Sequence, residues 1–341
     1  MIRKKLKTVI LILIIISFDS CDDNQPKTST PVGISFIKHP TPVWEGVWTA
    51  ADPSVVRDGD TLRMYYSSLI LEPNEKLIIA GAKSIDGIHW TPSNNILNQE
   101  SIALDNNINQ WDNHLEAVSV LRIDNELWMY YCGYPEESDI SGTIVATAQI
   151  GLAKSQDNIN FTRFSSDPIL QLGAATQKDG NALFSPTVIE EGGMFYMFYV
   201  GYCIENCAPP FLGILGATSQ DGENWTKLND PIISGENENL NWAEVIKEPS
   251  IFKGPDNVFY LFISGDESIG VARSNTILGP YEVYPEPILT ISEDWETNSV
   301  IAPSIIIEDN RVRMWYMGVQ TNGAAADFKI GYAESEFPFT W

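Results

Sequence analysis

The chain has 341 residues and carries 45 acidic against 21 basic side chains, a formal net charge of −24 at pH 7. A surface so negative repels phosphate backbones and sets nucleic acid aside as a partner, whereas a neutral ligand such as a carbohydrate meets no such penalty. The length exceeds that of a typical single domain and suits a repeat architecture read as one unit.

Arg3, Lys4, Lys5 and Lys7 precede an apolar run from Val9 to Ile16. That run is too short to span a bilayer and has the dimensions of a signal-peptide core. The segment Ser17-Phe18-Asp19-Ser20-Cys21 follows and resembles the lipobox of bacterial lipoproteins, with Asp19 as its departure. The resemblance implies a signal peptide over residues 1–20, acylation of Cys21, and a tether over residues 21–33. The chain is then expected in a bacterial cell envelope, touching the membrane through its lipid anchor alone. An ordinary secretory signal with a chance cysteine is the alternative. Asp22-Asp23 is similar to the acidic export signal of Bacteroidota surface lipoproteins. No other apolar stretch is long enough for a transmembrane helix.

From residue 34 onward one unit recurs five times. Its first element reads Asp52-Pro-Ser-Val-Val, Ala117-Val-Ser-Val-Leu, Ser185-Pro-Thr-Val-Ile, Glu248-Pro-Ser-Ile-Phe and Ala302-Pro-Ser-Ile-Ile. A polar turn follows each copy, then an aromatic strand: Leu62 to Tyr66, Leu127 to Tyr131, Met194 to Tyr199, Val258 to Phe262 and Val312 to Tyr316. β-Branched and aromatic runs joined by Asp/Asn/Gly turns are hairpins. A third strand begins at Ile79, Ile150, Leu215, Ile269 and Ile330 and closes on Ser84, Ser155, Ser219, Ser274 and Ser335. An aromatic stands six residues after that serine in four copies: Trp90, Phe161, Trp225 and Trp341. A fourth strand ends in Asn95-Ile-Leu97, Pro168-Ile-Leu170, Pro231-Ile-Ile233 and Pro287-Ile-Leu289.

Four strands repeated about every sixty residues, with no amphipathic helical stretch, predict an all-β, five-bladed β-propeller over residues 34–341. The fifth copy lacks its fourth strand. Residues 34–44 supply one, with Pro42-Val43-Trp44 in the Pro-Ile-Leu slot, so the N-terminal strand is expected to close the ring and remove an exposed edge. A monomer is expected.

Equivalent positions of the innermost strands converge on one channel. A packing position repeats in every copy, and a ligand site breaks the repeat. The Ser/Thr-Val/Ile pair repeats and reads as packing. The first residue of the element varies, as Asp52, Ala117, Ser185, Glu248 and Ala302, and Glu116 adds a third carboxylate one position earlier in the second copy. Asp52 and Glu248 stand on non-adjacent blades and would face the same cavity. Turn capping at strand entry is the alternative role for both. Trp48, Trp111, Trp242 and Trp295 precede four inner strands and are expected on rim loops, where indole faces suit sugar rings. Trp111 and Trp242 are the better candidates, and interblade packing is the competing role for each. His114 is placed to reach the funnel.

Cys203 and Cys207, in a Gly/Pro-flanked loop, suit a disulfide in an oxidising compartment. Cys132, in an apolar strand, is expected buried and free. No metal site is expected, no cofactor motif is present, and a calcium ion, structural or in the channel, is left open.

The Asp-Pro of the first copy, the Glu-Pro of the fourth, and the Gly-to-Trp elements Gly81 to Trp90 and Gly216 to Trp225 resemble the five-bladed glycoside hydrolases of the arabinanase/β-xylosidase group, family 43, and their relatives. The resemblance implies a glycoside hydrolase acting on a furanoside or related glycan, with Asp52 as general base and Glu248 as general acid. Inversion would follow, with the two carboxyl groups roughly 6.5–9.5 Å apart. The family's third acid, an aspartate on the third blade, aligns with Ser185, so Glu116 or Asp179 would have to substitute. A glycan-binding surface lipoprotein with a degenerate site is the alternative, and a phosphorolytic relative would need cations in the funnel, where the inner strands offer little beyond Lys247. Ser84 to Trp90 and Ser219 to Trp225 also look like sialidase Asp-boxes one residue short, in which Asp86 and Asp221 would staple turns.

Overall fold

The computed structural model describes residues 33–70, 76–96, 98–135, 147–204, 207–233, 240, 242–322 and 325–340. The signal peptide, Cys21, Leu97 and Trp341 lie outside the described residues. Every helix or strand assigned among those residues is a strand, and the strands form five antiparallel sheets of the expected propeller.

Each blade runs outward from its inner strand. The first is Ala51–Asp58, Thr61–Ile70, Lys76–Ser84 and Thr91–Pro92. The second is His114–Ile123, Glu126–Tyr134, Gln149–Ser155 and Thr162–Arg163. The third is Ala182–Glu191, Met194–Cys203, Phe211–Ser219 and Thr226–Lys227. The fourth is Lys247–Lys253, Phe259–Ser264, Ile269–Ser274 and Glu282–Val283. The fifth takes Ser299–Glu308, Arg311–Asn322 and Ala325–Glu336 from the end of the chain, and Ile37–Lys38 from its beginning.

The closure is in the register the sequence predicts. Ile37 and Lys38 pair with Glu334 and Ala333, and Trp44 bridges Ile330 just as Leu170, Ile233 and Leu289 bridge Ile150, Ile214 and Ile269. The first blade departs from expectation. An added strand, Ile102–Leu104, sets Leu104 opposite Ile79, so Leu104 holds the position that the sequence reading gave to Leu97.

The apolar core is distributed around the ring. Five clusters fill the five junctions between neighbouring blades: Tyr66 and Ile78 against Trp315 and Ile330, for example, between blades one and five. A sixth surrounds the start of the inner strands, with Phe184, Tyr202, Met317 and Phe328 among its members. Burying an aromatic or branched side chain contributes roughly 1.5–3 kcal/mol, so the junctions hold the blades together.

Polar contacts fix the blades' relative positions. Each inner strand is a sheet edge whose N–H groups face the channel and need acceptors. Val55 N donates to Ser304 Oγ at 2.9 Å, Val120 N to Ser54 Oγ at 2.9 Å, Val188 N to Ser119 Oγ at 3.0 Å, and Ile251 N to Thr187 Oγ1 at 3.3 Å. The repeated Ser/Thr is thus a hydrogen-bond acceptor between blades as well as a packing residue. The Asp-box-like turns join blades too. Asp86 accepts from Ile88 N and His89 N, and Gly87 O accepts from Trp90 Nε1 of its own blade and Trp315 Nε1 of the fifth. Gly222 O does the same for Trp225 and for Tyr130 of the second blade. The His89 ring, then the His89 and Ile88 amides, hold the Asp86 carboxyl well below its usual range, and the Asn224 amide and side chain, then the Glu223 amide, do so for Asp221, although both carboxyls are largely solvent-exposed.

Candidate functional site

All five inner strands carry a register shift at the same place. At that shift Asp52, Ala117, Ser185, Glu248 and Ala302 have φ of 48°, 44°, 45°, 49° and 53°. A non-glycine residue in this left-handed region costs about 1–2 kcal/mol, and the fold sustains it five times. Nothing in the residue types announces it, since glycine is the usual occupant. Together with the four prolines and Val118 that follow them, these residues line a narrow cavity of about 40 Å³ between the strands. The position that varies in sequence is therefore the position the bulge presents to the channel, and Asp52 and Glu248 are brought together there.

Asp52 Oδ2 accepts from Ser67 Oγ at 3.0 Å, and Ser67 Oγ in turn accepts Ala117 N at 3.0 Å. Glu248 Oε2 accepts Ala302 N at 3.1 Å, and Ser264 Oγ shares that donor at 2.9 Å. Each acid is thus tied to the left-handed alanine of the following blade. Burial, and then the charge of Glu248, push the Asp52 carboxyl up to about 7; Ser67 and Ala117 partly offset them. Glu116 stands one position before the bulge of blade two and is 6% exposed. It accepts from Tyr134 Oη at 2.9 Å. Burial raises it to about 8, with the Asp52 and Glu248 charges adding to the rise. Asp52 and Glu116 share one poorly solvated region beside Glu248, and their like charges disfavour ionising both together.

His114 shares a strand face with Glu116 and packs against the Tyr134 ring, centroids 5.2 Å apart. Ser185 occupies the channel position of blade three. Asp179 belongs elsewhere. It accepts from Tyr199 Oη at 3.1 Å and pairs with Lys227 of the fourth strand. The same clamp recurs as Asp112 with Tyr131 and Arg163, and as Glu296 with Tyr316 and Lys38. Asp179 is therefore a blade clamp, which corrects the expectation that it could stand in as third acid.

Three of the four rim tryptophans, the favoured Trp111 and Trp242 among them, are seated on their own blades. Trp111 stacks on Tyr131 at 5.9 Å and 13°, and Trp295 on Tyr316 at 6.0 Å and 25°. Trp242 lies on Gly265 and Gly270, where an added Cβ would come within 2.6 and 2.2 Å of its ring. All three are pressed onto their own blades, whereas Trp48 is 41% exposed. Cys203 and Cys207 are joined by a disulfide, and Cys132 is buried and free. Among the described residues no group of three or more His, Cys, Asp or Glu is arranged to hold a metal ion. Ser67, Ser264 and Tyr134 are the site residues the sequence reading missed; each sits on a second strand, where a lone hydroxyl in an apolar run gives no signal of what lies across the sheet.

No protein-family model matches the chain. A β-1,2-mannobiose phosphorylase from Thermoanaerobacter sp. (strain X514) is 31% identical over 114 residues, which is 31% of this chain and 37% of that relative. The matched stretch thus spans little more than a third of the relative. A thermostable family-43 glycoside hydrolase superposes with a TM-score of 0.63 at 19% identity, covering 85% of this chain and 93% of the other. A structure from the family 130 of mannoside phosphorylases, described as containing glycoside hydrolases that target β-1,2 mannosidic linkages in Candida mannan, superposes at 0.61 with 14% identity, covering 88% and 91%. The chain is a five-bladed β-propeller of the architecture shared by family-43 and family-130 carbohydrate-active proteins.

Proposed function

We propose that this chain hydrolyses glycosidic bonds with the carboxyl groups of its channel. The observation that carries the reading is that Asp52 and Glu248, from blades that are not neighbours, occupy the same bulged position and line one cavity. In this scheme Asp52 takes a proton from a water whose oxygen attacks the anomeric carbon. Glu248 gives its proton to the leaving oxygen as the bond to carbon breaks, and the configuration inverts. Glu116 supplies the third carboxyl that the resemblance to family 43 leaves vacant at Ser185.

β-1,2-Linked mannosides are the first substrates to test, because the sequence relative and one structural neighbour are both named for that linkage. Furanosides come second, on the resemblance to family 43. The phosphorylase name of the relative gives a second reading, phosphorolysis. Against it, the cavity is lined by two carboxylates and no cation, and a bound phosphate would be repelled there. Lys247 lowers the Asp52 carboxyl less than the hydrogen bonds from Ser67 and Ala117 do.

The test is to incubate the protein with β-1,2-mannobiose and with arabino-oligosaccharides, with and without phosphate, beside Asp52→Asn and Glu248→Gln. Free sugar formed without phosphate, and lost in both variants, supports hydrolysis. Sugar 1-phosphate formed only with phosphate would replace it by phosphorolysis. Glycan binding with no cleavage would leave a binding protein. We also propose that Cys21 carries a lipid anchor in a bacterial envelope; a Cys21→Ser variant that still incorporated a labelled fatty acid would refute it.

A further inference from the structure

Four tryptophans precede inner strands, and in three blades the indole has a prepared seat. Its floor is a glycine in the second strand or directly after it, two residues after Tyr131, Ile263 or Tyr316. At Gly133, Gly265 and Gly318 an added Cβ would lie 2.8, 2.6 and 2.2 Å from Trp111, Trp242 and Trp295. Real Cβ atoms do not come so close, so the seat exists only where that residue is glycine. In blade one the same position, two after Tyr66, is Ser68. Ser68 is fully buried, and with it in place an indole cannot lie there.

The space is used differently. Glu100, 8% exposed, accepts from Tyr66 Oη at 2.6 Å and Val47 N at 3.0 Å. Thr49 Oγ1 accepts Leu69 N at 2.9 Å. Val47 and Thr49, on either side of Trp48, are thus pinned to blade one. Trp48 is left 41% exposed, four residues before Asp52, where the seated tryptophans stand six or seven before their own bulges.

We propose that Trp48, four residues before Asp52 on the segment leading into its inner strand, is a saccharide-stacking platform, and that Glu100 is the positioning residue that holds that segment. An indole fixed in the free protein meets a sugar ring at little entropic cost. The inference rests on the glycan-active reading of the channel and deepens it by assigning a subsite.

The experiment measures KM and kcat for β-1,2-mannotriose and α-1,5-arabinotriose, and their binding to an Asp52→Asn background. Trp48→Ala is expected to weaken binding and raise KM about tenfold with kcat nearly unchanged, and Trp48→Phe to recover most of the loss. Glu100→Gln is expected to give a smaller rise in KM. Trp111→Phe, which keeps the stack on Tyr131, is expected to bind as the parent does. A parent that cleaves either sugar while Trp48→Ala matches it in KM overturns the platform and leaves the hydrolase standing. A parent that binds but does not cleave, with binding lost in Trp48→Ala, upholds the platform and overturns the hydrolase. A parent that neither binds nor cleaves overturns both.

Discussion

Replacing Glu116 by glutamine is expected to make the protein more stable at alkaline pH while impairing the site. The Glu116 carboxyl is raised from 4.5 to about 8, chiefly by burial. Protons therefore bind the folded state more tightly than the unfolded one. Below pH 4.5 both states are protonated and the residue has no effect on stability. Between 4.5 and 8 the unfolded chain ionises and the folded one does not, so stability falls by up to about 1.4 kcal/mol per pH unit. Above pH 8 the loss is complete. The full displacement corresponds to about 5 kcal/mol; the Asp52 and Glu248 charges supply part of it, and coupled titration with Asp52 reduces that part, so about 2–5 kcal/mol is expected. Glutamine still offers an oxygen to Tyr134 Oη and never ionises. Urea denaturation of parent and Glu116→Gln from pH 4 to 9 should give curves that coincide at the acid end and diverge steadily toward the alkaline end, with the variant above. A difference independent of pH, or a variant less stable at pH 9, would refute the placement of Glu116 in a poorly solvated cluster of acids.

Lys38→Met should cost about 3–5 kcal/mol, because Lys38 pairs with Glu296, whose side chain is fully buried, and its loss strands that carboxylate in the blade that closes the ring; a thermal melt with Glu296→Gln added back should recover much of the deficit. Ala302→Gly should leave stability unchanged or raise it by up to about 1 kcal/mol, against the usual loss for glycine in a strand, because Ala302 has φ of 53°; clear destabilisation in urea would show that the bulge is not strained. If Asp52 is the general base, kcat/KM should climb through an ionisation near pH 7. A profile that falls through that pH instead would make Asp52 the proton donor and Glu248 the base.

The ring was legible in the sequence because its signals are local and repeated. The Pro42-Val43-Trp44 segment could be matched to Pro168-Ile-Leu170 from side-chain type alone, and the bridge from Trp44 to Ile330 follows. The match failed at Leu97, because the added strand ending at Leu104 supplies the partner of Ile79 from outside the repeat. Asp52 and Glu248 could be found as breaks in a repeat. Their left-handed backbone could not, since alanine, serine, aspartate and glutamate share it without a glycine among them. The seating of Trp111, Trp242 and Trp295 is hidden in the sequence for a related reason. Whether an indole is seated depends on a residue about twenty positions away, Gly133 for Trp111 and Ser68 for Trp48, and that pairing is visible only once the strands are in register. Asp179 was misread because a buried carboxylate that clamps a tyrosine and one that faces a channel look alike in one dimension.

The bulge explains why this ring can carry chemistry without losing its shape. In four blades the Ser/Thr two positions after the bulge accepts the next blade's N–H. The bulged residue beside it makes no such contact through its side chain in Ala117 or Ala302, which are alanines. Structure and function are thereby separated by two positions on one strand, so a carboxylate can replace alanine at the bulge without touching the ring of hydroxyls. What the replacement costs is desolvation, visible at Asp52 and again at Glu116. A protein that gained nothing from those acids would be more stable with alanine or glutamine in their place, and two such unfavourable placements, one in the cavity and one a position before its lining, make the channel the place to test for activity.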